Sequence, residues 1–400
     1  MPGKARNLAL LAAAQVLVLA VWFAGTAVLP ALLAEGAADA ARGGLLTVAV
    51  QLGFVAGTLV SALLTLADRV PARRLFCLSA LVAGLATMAM AAVPPAGMAA
   101  LALRFLAGAA IAGVYPIGMK LASAWARGDL GLMIGLLVGA LTIGSASPHL
   151  LPALLPGLSW RALYLGAGAM AVAGAALILA FREGPAAAAP RPPFRLGHAL
   201  HAWRDRRLRL ANAGYLGHMW ELYAMWAWVP LFLHGQALGL PAGVVAFAVI
   251  GLMGCAGAVA AGLVADRWDR ALVCAGAMLA SGACAVLIGP ASLVSVPLTL
   301  GLALLWGFFV IADSAQFSAT IVTLSPPELV GTMLTTQTCA GFLLTAVTIQ
   351  VLPALLPALG WHWGFAVLGI GPLLGAWAML RLRAELRSGR DYRASFSAQS

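Results

Sequence analysis

Residues 211–233 read ANAGYLGHMWELYAMWAWVPLFL, and the placing of this stretch decides the fold. It is long and apolar enough to cross a bilayer, whose hydrocarbon core of about 30 Å takes roughly 20 helical residues. Yet it carries Asn212, Tyr215, His218, Trp220, Glu221, Tyr223, Trp226 and Trp228. At a rise of ~1.5 Å per residue, Glu221 lies some ~15 Å deep, near the midplane. A carboxylate there costs at least a few kcal/mol in lipid, so it is expected to face protein or water. His218 and Glu221 are three residues apart and Glu221 and Met225 four, which puts them on one helical face. A structural pairing with a buried arginine would satisfy Glu221. A place on a substrate or proton pathway is the favoured alternative for an ionisable group in the membrane.

The whole composition agrees with a membrane setting. Of 400 residues, 62% are hydrophobic and 9% charged, and the mean hydropathy is +0.97. A soluble domain has about 45–50% apolar and about 25% charged residues, so an all-α integral membrane protein is expected and a soluble enzyme is not. The net charge of +11 sits in short loops between apolar runs, which answers to membrane orientation rather than to nucleic acid. Cys77, Cys255, Cys274, Cys284 and Cys339 form no CxxC pair and read as small core residues, neither a metal site nor a disulfide framework. No phosphate-cradling loop precedes Lys4 or Lys120, so no ATP coupling and no cofactor are expected. The first apolar run, 8–33, is too long for a signal-peptide core and is expected to remain as a span.

Length and apolarity give twelve spans, near 8–33, 44–67, 74–93, 98–121, 130–151, 160–181, 212–233, 241–265, 271–289, 296–324, 330–356 and 361–380. Lys4, Arg6, Arg69, Arg73, Arg74, Arg127, the arginines of 182–209, Arg267, Arg270 and the arginines after 380 fall in loops of one parity. The other parity holds only Arg42 and Arg161, so both termini are expected in the cytoplasm. The connection 182–210 opens on a Pro/Ala linker, REGPAAAAPRPP, and closes on FRLGHALHAWRDRRLRL. The closing part reads either as a short amphipathic helix on the membrane face or as a solvated basic loop. It separates a bundle at 1–181 from a second at 211–400. The halves repeat: PALLPGLSW from Pro152 and PALLPALGW from Pro353, Asp68 and Asp266, and Pro30 and Pro230 stand 201, 198 and 200 residues apart. Repeats of this kind place a substrate site between the halves, near the midplane.

Two copies of one loop motif follow the second span of each half. TLADRVPARR includes Asp68 and Arg69, and GLVADRWDR includes Asp266 and Arg267. An acid at a helix end can pair with a neighbouring helix terminus, and such a pair, broken as the halves move, would act as a gating latch. This pattern resembles the loop motif of the major facilitator superfamily, with Leu64 in place of the leading glycine in the first copy and Pro71 and Asp269 in place of the later one. RFLAGAAIAG from Arg104 is similar to that superfamily's fourth-span motif. The resemblance implies twelve transmembrane helices in two six-helix pseudo-repeats; with both halves in one chain, the protein is expected to work alone, as a monomer in the cytoplasmic membrane.

It also implies that the first, fourth, seventh and tenth spans line a central chamber. That would gather Gln15, Trp22 and Thr26, Arg104 and Tyr115, His218, Glu221 and Tyr223, and Asp313 and Gln316. Glu221 and Asp313 are the expected proton-coupling groups; Trp22, Arg104, Tyr115, His218, Tyr223 and Gln316 are the expected substrate-binding groups. Arg104 near a span end could instead snorkel, and Asp313 could be a helix–helix hydrogen bond. The segment HMWELYAMW resembles the cyanate- and nitrate-transporter-like branch. Proton-coupled movement of a small organic or inorganic anion is therefore the expected function, with proton-coupled export of cationic or amphipathic compounds as the alternative. An enzyme would need a catalytic cluster; His198 and His201, three apart in the basic connection, do not make one.

Overall fold

Polar residues at the loop edges start the helices. Asp39 accepts from the Arg42 amide at 2.7 Å, Ser159 from Ala162 at 3.3 Å, Asp269 from Ala271 at 3.0 Å, and Ser295 from Leu298 at 3.4 Å. Each satisfies an amide that the helix itself leaves unpaired. The computed structural model describes residues 3–126, 130–185, 194, 196–265 and 267–397, and every regular element among them is helical.

Ten stretches among the described residues are long and apolar enough to cross a membrane. They are Lys4–Ala34, Ala40–Leu63, Ala72–Ala92, Met98–Ser123, Leu132–Leu154, Trp160–Ala180, Ala242–Ala265, Arg270–Val294, Val296–Leu324 and Pro327–Ser388. The last is 62 residues long and holds two spans, divided at Gly360, whose φ of 59° interrupts the helix. The remaining span is the helix Arg206–His234, too polar to count by hydropathy alone. Twelve spans result, as expected. Both PALLP repeats lead to a glycine at positive φ, Gly157 at 82° and Gly360 at 59°, where the chain turns into the next span.

The two halves are built alike. In the first, the second and fourth spans touch backbone to backbone: a Cβ on Gly53 would overlap the Phe105 carbonyl, and one on Gly108 the Val50 carbonyl. In the second, Gly257 lies on the Phe308 carbonyl and Gly307 on that of Val249, which joins the eighth and tenth spans the same way. The third packs on the sixth, and the ninth on the twelfth. Across the halves, the second span meets the eleventh and the fifth meets the eighth. Leu63, Leu78, Leu85, Leu287, Leu305 and Leu373 are exposed on the outside, where lipid would cover them.

The connection differs from expectation. The seventh span does not start near 211 but at Arg206, because Asp205 accepts from the amides of Arg207 and Leu208, both at 2.9 Å. Instead of one amphipathic helix, two short turns form, Leu196–Ala199 and His201–Arg204, and they pack against the eleventh span. Asn212 Nδ2 donates to the Ala202 carbonyl at 3.0 Å and holds the second turn down. Since the spans alternate, both chain ends and this connection share one end of the molecule, called here the linker end; the opposite end is the far end.

Candidate functional site

Three of the four spans expected to line the centre are broken near mid-depth. The first breaks between Lys4–Leu19 and Ala24–Ala34, the fourth between Met98–Ile111 and Tyr115–Ser123, and the tenth at Asp313. The seventh runs unbroken. A break in an apolar core strands carbonyls that must find other donors. At the first-span break the Thr26 amide turns to the Phe23 carbonyl at 3.1 Å, which leaves Trp22 O without its usual partner. Arg104 supplies the donors: Nη1 to Val21 O at 2.8 Å, Nη2 to Trp22 O at 2.7 Å, and Nε to Leu46 O at 3.4 Å. Arg104 is 0% exposed, so it does not snorkel, and its planar fork matches two successive carbonyls as a lysine could not.

The side chains at this break cross the interface between the halves. Trp22 packs on Tyr223 with ring centroids 5.8 Å apart and on Phe342 at 5.7 Å, while Phe23 packs on Tyr223 at 5.9 Å and on Trp226 at 5.6 Å. Phe54 meets Phe342 at 4.5 Å. The result is a continuous aromatic layer from both halves. From the layer to the far end the halves stay in contact. Gln350 reaches Ala41 O at 3.4 Å, Gly44 lies against Trp228 and Gln350, and a Cβ on Gly243 would overlap the His149 carbonyl. His149 is buried, with Nε2 3.2 Å from Thr26 Oγ1. Thr142 Oγ1 of the fifth span donates to Gly251 O at 3.1 Å, within a π-helical turn, Phe247–Met253, of the eighth. Toward the linker end, Lys4–Leu19 and Tyr115–Ser123 pack within their own half. Tyr115 there is only half-buried.

The two deep acids turn away from the layer, into the second half. Glu221 accepts from Ser281 Oγ at 2.7 Å and from Trp306 Nε1 at 2.7 Å, tying the seventh span to the ninth and tenth. Its partner is therefore not an arginine. One turn nearer the linker end, His218 Nδ1 lies 2.8 Å from Asp313 Oδ1, with both side chains buried. The approach is close but not aligned as a hydrogen bond, since Oδ1 has no partner by hydrogen-bond geometry. His218 also packs on Phe317 at 5.4 Å and on Tyr215 at 6.2 Å. Gln316 is buried just past the break, its amide bonded to Asp313 O at 2.9 Å. Of the predicted residues, Trp22 and Tyr223 thus share the layer, Arg104 sits behind it, and His218, Glu221, Asp313 and Gln316 belong to the second half.

At the linker end Asp68 pairs with Lys120 Nζ at 2.8 Å, and the same ammonium bonds the Ala67 carbonyl. The pair stays within the first half. Arg69 and Arg267 are exposed, and Asp266 lies outside the described residues. In the second half Asp269 pairs with Arg383 of the twelfth span at 3.0 Å. Sequence reasoning missed Phe23, Phe54, Trp226 and Phe342, the Glu221 partners Ser281 and Trp306, and Lys120. Only Lys120 left a signal, as one of two lysines in the chain, at a span end facing the loop parity of Asp68. Among the described residues no group of His, Cys, Asp and Glu is placed to hold a metal ion.

No curated protein matches the sequence. Among solved structures the fold is similar to that of the human organic anion transporter MFSD10 (TETRAN). The TM-score is 0.69 over 95% of this chain and 100% of that one, at 17% identity. The family described as the Major Facilitator Superfamily matches residues 11–349. With broken central helices, paired six-helix halves and a family match over most of its length, the chain belongs to the Major Facilitator Superfamily of membrane transporters.

Proposed function

We propose that the protein moves a small anion across the cytoplasmic membrane by alternating access, driven by proton coupling. The observation that carries this reading is the aromatic layer between the halves. Cross-half contacts run from it to the far end, while the linker-end parts of the broken first and fourth spans pack within their own half. With the arginine-rich loops at the linker end taken as cytoplasmic, this is a conformation closed to the outside. Rocking of one half about the layer would open the other side.

The anion preference rests on Arg104, a buried cation whose bonds all go to carbonyls. It leaves positive charge beside the layer with no carboxylate in contact among the described residues. The anionic class accords with that of the similar human transporter. Export of cations would call for Glu221 and Asp313 facing the interface, and their turn into the second half weighs against it.

Glu221 suits a proton carrier by its bonding. Ser281 Oγ lies 2.7 Å from Glu221 Oε2 and 3.1 Å from Met278 O. When Glu221 is ionised the serine donates to it; when Glu221 is protonated the carboxyl donates to the serine, which turns to Met278 O. Trp306 donates in both states, so neither leaves an orphaned group.

Reconstitution in liposomes with an internal pH dye tests the function. The panel holds small carboxylates, inorganic oxyanions and organic cations, with Glu221→Gln in parallel. An anion-dependent pH change that is lost in the variant is expected. Anion flux with no proton movement in either protein would remove the coupling from the proposal, and flux of cations alone would overturn the anion class.

A further inference from the structure

Two buried hydrogen-bond donors at the interface of the halves have no acceptor among the described residues. Trp22 Nε1 donates to Gln51 Oε1 at 3.3 Å. An indole nitrogen only donates, so this bond fixes the orientation of the Gln51 amide and turns its Nε2 hydrogens elsewhere. Gln51 is 0% exposed and its Nε2 has no partner. Trp226 is also 0% exposed, and its Nε1 has none. The two flank one pair of rings: Gln51 holds Trp22, Trp22 lies on Tyr223 at 5.8 Å, and Tyr223 lies on Trp226 at 5.5 Å. Thr47, one helical turn from Gln51, has an unpartnered buried hydroxyl as well.

Unpaired buried donors destabilise a fold and are rare in native proteins. Two in one layer, at the seam that must open and close, point to a ligand that supplies acceptors. The carboxylates of the second half do not serve: the oxygens of Glu221 are taken by Ser281 and Trp306, and Asp313 faces His218. Behind Trp22 stands the Arg104 charge, held on the Val21 and Trp22 carbonyls. Its field favours an anion in the layer while its bonded hydrogens point at main chain.

We propose that Gln51 and Trp226 recognise the substrate, donating N–H bonds to the head of a small carboxylate or oxyanion whose flat or apolar remainder lies against Trp22, Tyr223 and Phe342. This rests on the transporter reading above. Neutral donors hold an anion less tightly than a guanidinium fork does, which suits a site that must release its cargo on the opposite side.

Trp226→Phe removes the N–H and keeps an aromatic ring. Gln51→Glu keeps the acceptor for Trp22 and replaces the donor with an oxygen that repels anions. Concentration-dependent anion uptake into proteoliposomes is measured for wild type and both variants, with thermal unfolding of each in detergent. The expected result for Trp226→Phe is a rise in KM of about tenfold or more with kcat within about twofold, as for a lost bond to a charged ligand. Gln51→Glu is expected to abolish anion uptake and still give a cooperative unfolding transition. Unchanged KM in both folded variants overturns the assignment while the transporter reading stands. A fall in kcat and melting temperature at constant KM also overturns it, because that is the signature of a structural role. If the wild type moves no anion of the panel, the transporter reading fails and this proposal with it.

Discussion

Replacing Arg104 with methionine tests whether that residue holds the first-span break together. Methionine fills much of the same volume and removes every donor. The carbonyls of Val21 and Trp22, bonded to Arg104 at 2.8 and 2.7 Å, then face one another's dipoles in a dry core. The Nε bond to Leu46 O at 3.4 Å is at the limit of a hydrogen bond and adds little. An unsatisfied buried carbonyl costs about 1–3 kcal/mol. Removing a buried cation returns part of this by ending its desolvation. The net expectation is a loss of about 2–4 kcal/mol. For a chain of 400 residues that lowers the melting temperature by roughly 2–5 °C, at about 1 °C per kcal/mol. The buried thiols of Cys274, Cys284 and Cys339 report unfolding when a thiol-reactive dye is present during heating. Arg104→Lys should fall between the two, since an ammonium cannot span both carbonyls as a fork does. A melting temperature for Arg104→Met equal to or above that of the wild type would refute the reasoning, because the desolvation of the cation would then outweigh the carbonyls it serves.

Trp306→Phe leaves Glu221 Oε1 without its donor and is expected to cost about 1–3 kcal/mol in thermal unfolding. Combined with Glu221→Gln the loss should be less than additive, and strict additivity would mean the two do not share a bond. Gly108→Ala puts a Cβ into the Val50 carbonyl and is expected to destabilise by about 1–3 kcal/mol. Gly276→Ala, where a Cβ meets open space, serves as its control, and equal melting temperatures for the two would contradict the packing described. Asp68→Asn breaks a partly exposed pair and should change stability by less than about 1 kcal/mol. Its effect is expected in the rate of substrate flux, so a large fall in melting temperature at unchanged flux would show that the pair is only a structural brace.

The membrane class, the twelve spans and the two-fold repeat were legible in the sequence, because each rests on local or periodic properties. An apolar run of sufficient length must cross, a run of arginines resists crossing, and a repeat shows itself by a constant offset such as that between Pro152 and Pro353. The placing of Glu221 and Asp313 near the middle of their spans was legible too, since the length of an apolar run fixes where its middle falls. Direction was not. Glu221 and Tyr223 are two residues apart and therefore nearly opposite around the helix, one bonded to Ser281 and Trp306 inside the second half and the other stacked on Trp22 of the first. Hydropathy does not tell which side of a fully buried helix meets which neighbour, and every face of the seventh span is covered by protein. The role of Arg104 was hidden for a related reason: its partners are main-chain carbonyls, freed by a break whose position depends on tertiary packing rather than on residue type. The aromatic layer joins Phe54 and Phe342, 288 positions apart along the chain, and only folding brings such pairs within 4.5 Å.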